Sequence, residues 1–214
     1  GNAGFDLVNV DDVSFDASVL GAESSFLLPP HLDKPLNAMG VTLARLQSNM
    51  EAQGFREFRV QNLEISGPVF GRIQQAPVIV QSLLVEPVDK GKFQLTAEIG
   101  TDFSNINLLS TYTRASSGRS IYRFDANGIS LREWLHDPET DQGVIGADGL
   151  VDLAGRIRFR ADHTALDPTL NLKTSEHTLR VGKDATTISR KVDLNFSLIL
   201  ARNQIELEQS EIEI

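Results

Sequence analysis

Three arginines at alternate positions, Arg156, Arg158 and Arg160, are the first residues of this 214-residue chain whose spacing suggests chemistry. Side chains two apart on an extended strand point the same way, so three guanidinium groups would line one face. Such a stripe could hold a phospholipid headgroup or another anion by charge-assisted hydrogen bonds. Near the C-terminus, Glu206, Glu208, Glu211 and Glu213 form an acidic counterpart. Two stripes of opposite sign on neighbouring strands would pair, each pair contributing about 0.2–1 kcal/mol. Because the stripes match, the reading favours pairing over ligand binding.

A second group of acids lies in the segment Asp137-Pro138-Glu139-Thr140-Asp141-Gln142-Gly143. Asp137, Glu139 and Asp141 alternate, and Asp148 falls where a loop of EF-hand length places its last ligand, so the four could supply oxygens to calcium. However, glycine falls one position late, proline follows the first acid and no helices clearly flank the segment. A solvent-exposed acidic loop is therefore expected. Trp134, the single tryptophan, is a candidate contact for a ligand. A carboxylate-based carbohydrate-active enzyme would need Asp137, Glu139 or His136 to face a polar cleft beside it.

Other catalytic signatures are missing. His31, His136, His163 and His177 are scattered with no i, i+4 pair, and are read as surface or loop residues rather than ligands. There is no nucleophile elbow, no glycine-rich phosphate loop and no dinucleotide fingerprint. Without cysteine, disulfides, thiolate metal sites and a thiol nucleophile are excluded. The expectation is a protein that is not an enzyme and carries no cofactor. A formal charge of -9 opposes nucleic-acid binding, which needs a surplus of lysine and arginine to neutralise phosphates.

The elements that would position these residues are mostly strands. With 41% hydrophobic and 23% charged residues the composition is that of a globular chain, and its length suits one β domain spanning residues 1–214, with a possible internal boundary near 100–120. In the segment Val151 to Arg160, Val151, Leu153, Ile157 and Phe159 alternate with Asp152, Arg156, Arg158 and Arg160, the pattern of a half-buried strand. Val192 to Leu198 and Ile205 to Glu208 repeat it, with Ala201 to Gln204 as a hairpin loop between them. Asp89-Lys90-Gly91-Lys92 joins the apolar run Val78 to Val85 to Phe93 to Ile99 as a second hairpin. Phe58 to Ile65 alternates with one change of phase, which a bulge near Asn62 would explain. Phe5 to Phe15 and Ile121 to Phe124 read as further strands, the latter ending at an Asp125 to Gly128 turn.

One segment follows a different period. Leu36, Met39, Leu43, Leu46 and Met50 are spaced by threes and fours, with Asp33 as a possible N-cap and Gly54 as a stop, which predicts a helix over about Lys34 to Gln53. Gly40 inside it costs about 1 kcal/mol relative to alanine. Leu131 to Leu135 suggests a short helical turn. The predicted fold is mainly β: a twisted antiparallel sheet curling into a sandwich, groove or partial barrel, with one N-terminal helix packed on it.

Three stretches carry a resemblance: Phe58 to Gly67, Leu83 to Leu95, and Gly149 to Ile157, preceded by Pro35-Leu36-Asn37-Ala38. Their strand pattern resembles that of AsmA/TamB-like proteins and the related type II secretion protein N. The resemblance implies a periplasmic, β-rich body in the bacterial envelope, anchored upstream in the inner membrane, with a part in lipid movement along a hydrophobic groove or in envelope assembly. It assigns no site residue. The start Gly1-Asn2-Ala3-Gly4, lacking methionine, fits a removed export signal or anchor, although a domain cut from a larger cytoplasmic protein would look the same. The expected partner is a lipid or other hydrophobic ligand, or an envelope protein. A protein-interaction module using an exposed strand edge is the alternative.

Overall fold

The computed structural model describes residues 7–16, 33–66, 68–69, 72–73, 77–130, 145–181, 188–190, 193–197 and 212–213. Within them the chain is mainly β, with a single helix. The strands are β1 (Leu7–Asp11), β2 (Ser14–Asp16), β3 (Glu57–Ser66), β4 (Pro68–Val69), β5 (Arg72–Ile73), β6 (Val78–Asp89) and β7 (Lys92–Gly100). They continue with β8 (Asn105–Arg114), β9 (Ser120–Ser130), β10 (Ile145–Phe159), β11 (Ala165–Val181), β12 (Ile188–Arg190), β13 (Asp193–Ser197) and β14 (Ile212–Glu213). The helix, α1, spans Asp33–Gln53.

Twelve strands form one sheet in the order β1-β3-β6-β7-β8-β9-β10-β11-β13-β14, with β2 and β12 as side branches. From β6 to β11 each strand pairs antiparallel with the next in sequence, a meander built from local turns. Only β1 and β2 run parallel to their neighbour, β3. The sheet is open, since no ladder among the described strands joins its two edges. The β8 strand, which falls in the 100–120 stretch, is paired on both sides within this sheet.

The period-two pattern turns one face inward. On the central strands Phe93, Ala97, Ile106, Tyr112, Ile157 and Phe159 are buried, while Arg156, Arg158 and Asp152 are exposed. Helix α1 lies on the buried face. Its stripe Leu36, Met39, Leu43, Leu46 and Met50 packs into one core with Val85, Phe93, Tyr112, Ile157, Phe159 and Ala165, as the spacing predicts.

The helix runs across the strands, and its two ends show this. Near its start, Asn37 Oδ1 accepts a hydrogen bond from the Ala165 amide at the head of β11 (2.7 Å). Near its end, Glu51 Oε1 accepts from the Gly91 amide in the β6–β7 turn (3.0 Å). Five strand spacings separate β11 from β6, about 24 Å at about 4.8 Å each, and the helix from Asn37 to Glu51 rises about 21 Å. The lengths agree, so α1 bridges the sheet like a bar over the end that carries the β6–β7, β8–β9 and β10–β11 turns. Gly54, at φ 69°, ends the helix, its amide donating to the Met50 carbonyl at 2.9 Å.

Gly40 now has a reason. A Cβ there would come within 2.6 Å of the Phe159 ring and 2.8 Å of the His163 carbonyl oxygen. The missing side chain lets the helix sit down on β10 and the turn after it, and this contact outweighs the weak helix propensity of glycine.

Two departures from regular pairing differ from the sequence reading. The phase change in β3 does coincide with Asn62, which has a left-handed backbone (φ 52°), but its register with β6 is unbroken. The extra residue sits on β6, where pairing with β7 slips between Val80 and Ser82. Asp12, between β1 and β2 and level with Asn62, is left-handed too (φ 53°), and Asn62 Nδ2 donates to its carboxylate at 3.4 Å. The second departure is Asp125 to Gly128, read as a turn. It is the middle of β9, where one extra residue opposite β10 is absorbed at Gly128 (φ 83°), whose amide donates to Asp152 Oδ1 at 3.3 Å. The same left-handed preference suits a bulge as well as a turn.

Candidate functional site

The inner face has two parts. Under α1 it is solid core. Beyond the helix a second apolar cluster continues on the same strands: Ile106, Ala126, Ile129 and Val151 are buried, with Ile99, Leu108, Leu153 and Leu172 packed around them and no helix residue among them. At the C-terminal end of α1 there is also a cavity of about 440 Å³, walled by Met50, Phe55, Pro87, Val88 and Phe93. Gln47 lines it, is 4% exposed, and leaves its Oε1 without a hydrogen-bond partner.

The core beneath the helix also holds hydroxyl groups. Tyr112 is fully buried and stacks on Phe93 at 5.1 Å between ring centroids, yet its hydroxyl has no partner. Its cross-strand neighbour is Tyr122. Burial pushes the Tyr122 hydroxyl above its ordinary pKa; the Ser110 side chain beside it acts the other way, although Ser110 Oγ meets no partner at hydrogen-bonding geometry.

The arginines lie on the other face. Arg156, Arg158 and Arg160 are all exposed, as the alternation predicts. Their neighbours differ from the expected ones. β10 lies between β9 and β11, so Arg156 stands opposite Arg123 and Thr169, and Arg158 opposite Ile121 and Leu166. Arg158 forms an ion pair with Asp167, a left-handed residue (φ 40°) in the stretch of β11 where the register shifts. Of the acidic stripe, Glu213 is in β14 and lies opposite Asp193, while Glu206, Glu208 and Glu211 are outside the described residues. Alternation decides the face a residue takes, but the order of strands decides its neighbour.

A cleft of about 650 Å³ opens where the stripe ends, lined by Arg119, Ser120, Ile121, Arg158, Arg160 and Asp162 among others. Two hairpin turns build it. In the first, Ala115 and Arg119 are joined amide to carbonyl (2.8 Å), with Gly118 at φ 82°. In the second, the Arg160 amide donates to Thr164 O (2.9 Å) and the His163 amide to Arg160 O (3.0 Å). Gly118 faces Ala161 so closely that a Cβ would be 3.1 Å from the alanine's, which holds the turns side by side. The Asp162 carboxylate is held below its ordinary pKa, chiefly by the Thr164 amide and hydroxyl, with Arg160 adding to the effect. Arg119 is absent from the sequence reading, because only the pairing of β9 with β10 brings its turn beside Arg160.

Compared with protein-family models, curated proteins and solved structures, the chain matches none.

Trp134, His136, Asp137, Glu139, Asp141 and His31 lie outside the described residues, as do the predicted Leu131 to Leu135 turn and the Ala201 to Gln204 loop. Asp148 belongs to β10 and pairs with Thr178, a strand position rather than the end of a loop. Among the described residues no three histidine, aspartate or glutamate side chains converge to hold a metal ion. His163 sits in the β10–β11 turn with φ 68° and a buried Nδ1 that has no partner, and His177 lies in β11 opposite Gly149. No described helix is long and apolar enough to cross a membrane.

Proposed function

We propose that this chain is a non-enzymatic module of the bacterial envelope, on its periplasmic side, whose apolar inner sheet face binds a lipid or other hydrophobic ligand or scaffolds envelope assembly. One observation carries the reading: the apolar face does not stop where the helix does. A sheet that needed only a core would have its inner apolar residues gathered under α1. Here a second cluster centred on Val151 extends the face along the strands away from the helix. The second cluster is itself buried (Val151 is 0% exposed), so the opening for an acyl chain would be the cavity beside Phe93 at the end of the helix, which falls in the size range of ligand pockets. The strand-pattern resemblance to AsmA/TamB-like and type II secretion protein N-like proteins supports the same compartment and class.

Native mass spectrometry of the delipidated chain, followed by addition of lipid extract, tests the proposal. Stoichiometric lipid adducts are expected. Their absence under every condition would remove the ligand reading.

The sheet edge favours a second reading, a protein-interaction module. Among the described strands β1 ends the sheet, a five-residue strand on which Leu7 is 54% exposed. An edge of this kind can accept a further strand. A photo-crosslinker at position 7 should then capture a protein from envelope fractions, and an empty result removes this reading.

A further inference from the structure

The chain carries a surplus of acids, yet its helix-barred end has the opposite balance. The β6–β7, β8–β9 and β10–β11 ends bring Lys90, Lys92, Arg114, Arg119, Arg158 and Arg160 together against Asp89, Asp162 and Asp167, with Glu51 of the helix also on the β6–β7 turn. Three of the four acids are already engaged: Asp167 pairs with Arg158, Asp162 Oδ1 accepts the Thr164 amide at 3.0 Å, and Glu51 Oε1 accepts the Gly91 amide at 3.0 Å. Arg119 and Arg160 are exposed and reach the cleft from adjacent turns. On the flank of the cleft, Arg123 and Arg156 are directly opposite each other across β9 and β10, a like-charge pairing that costs energy unless an anion lies nearby.

Ser120 also borders the cleft, but it stands opposite Phe159 across β9 and β10, so its buried hydroxyl takes the core face and not the face of Arg158. Guanidinium groups converging from separate turns suit a tetrahedral oxyanion, which offers oxygens in several directions.

We infer that the cleft between the Ala115–Arg119 and Arg160–Thr164 turns binds a phosphate group, held by Arg119 and Arg160 and flanked by Arg158. The phosphate belongs to a lipid headgroup or to a small soluble phosphate compound. The first source rests on the hydrophobic-ligand proposal above, whereas the site itself stands on the cleft alone.

The test uses the whole chain and two probes. Calorimetric titration with inorganic phosphate and with glycerol 3-phosphate reads the site. Flotation with phosphatidylethanolamine–phosphatidylglycerol vesicles, against pure phosphatidylcholine, reads the source. The double variant Arg119→Gln, Arg160→Gln should weaken phosphate binding by about tenfold or more, the loss expected when charge-assisted hydrogen bonds are removed. Both side chains are exposed, so circular dichroism should be unchanged. Arg45→Gln, at an exposed helix position, removes the same kind of charge and should leave binding intact. Asp162→Asn keeps the turn's acceptor oxygen and should tighten binding. Anionic-vesicle flotation that the double variant abolishes assigns the site to a headgroup, and titration without flotation assigns it to a soluble phosphate. If wild-type chain gives neither, or the double variant binds as well as wild type, the inference fails. Lipid adducts in mass spectrometry would then still be possible, so the two readings fail separately.

Discussion

Replacing Gly40 by alanine sets two effects of known sign against each other. Alanine in a helix interior is better than glycine by about 1 kcal/mol. Here the new Cβ would lie 2.6 Å from the Phe159 ring and 2.8 Å from the His163 carbonyl oxygen. Neither can yield easily. The ring is 1% exposed in the central core, and the carbonyl belongs to a turn held by the Arg160–Thr164 and Arg160–His163 hydrogen bonds. The helix cannot lift freely, because Asn37 and Glu51 tie both its ends to the sheet. Overpacking at such a site costs about 1–3 kcal/mol, so Gly40→Ala should destabilise the fold by a net of up to about 2 kcal/mol. At a urea slope of about 2 kcal/mol/M the midpoint falls by up to about 1 M with the slope unchanged. Urea unfolding followed by circular dichroism measures it. Pairing Gly40→Ala with Phe159→Leu sharpens the test, since a smaller side chain opposite the new methyl should make the double variant less unstable than the sum of the singles. A stabilised Gly40→Ala, or additive effects in the pair, would refute the packing of α1 on β10.

Asn37→Ala leaves the Ala165 amide without its acceptor and should cost about 1–3 kcal/mol in the same assay, whereas Asn37→Asp keeps the oxygen and should cost less. Tyr112→Phe removes a buried hydroxyl that has no partner, so it should be neutral or stabilising by about 1 kcal/mol; a clear loss of stability would show that the hydroxyl is hydrogen-bonded after all. Because burial raises the Tyr122 pKa in the folded chain, that residue's contribution is complete below the unfolded value near 10 and is lost as pH rises through the folded value. Stability should therefore fall in the alkaline limb above about pH 10, and Tyr122→Phe should flatten that limb in pH-dependent urea titrations.

Much of the local structure was legible from residue spacing. Alternation from Val151 to Phe159 decided which side chains of β10 are buried, because a strand gives successive residues opposite faces. The threes and fours from Leu36 to Met50 decided a helix and its buried stripe. The Asp89 to Lys92 signal decided a tight hairpin, with Gly91 at φ 73°. All of these depend on a few neighbouring residues.

What the sequence left open depends on which strand lies beside which. Arg158 has Asp167 as a partner, and β10 lies between β9 and β11 while Glu213, on β14, is at the far end of the strand order. Gly40, a weak point by propensity, proved to be where helix and sheet touch, a contact between residues more than a hundred positions apart. Arg156 and Arg158 are on one strand, as their spacing requires, and Arg160 follows at the start of its closing turn. The cleft they border needs Arg119 and Ser120 from β9 and the turn before it. Spacing along a chain determines the direction of a side chain, and only long-range pairing, set by the summed burial of the whole sheet, determines its neighbours.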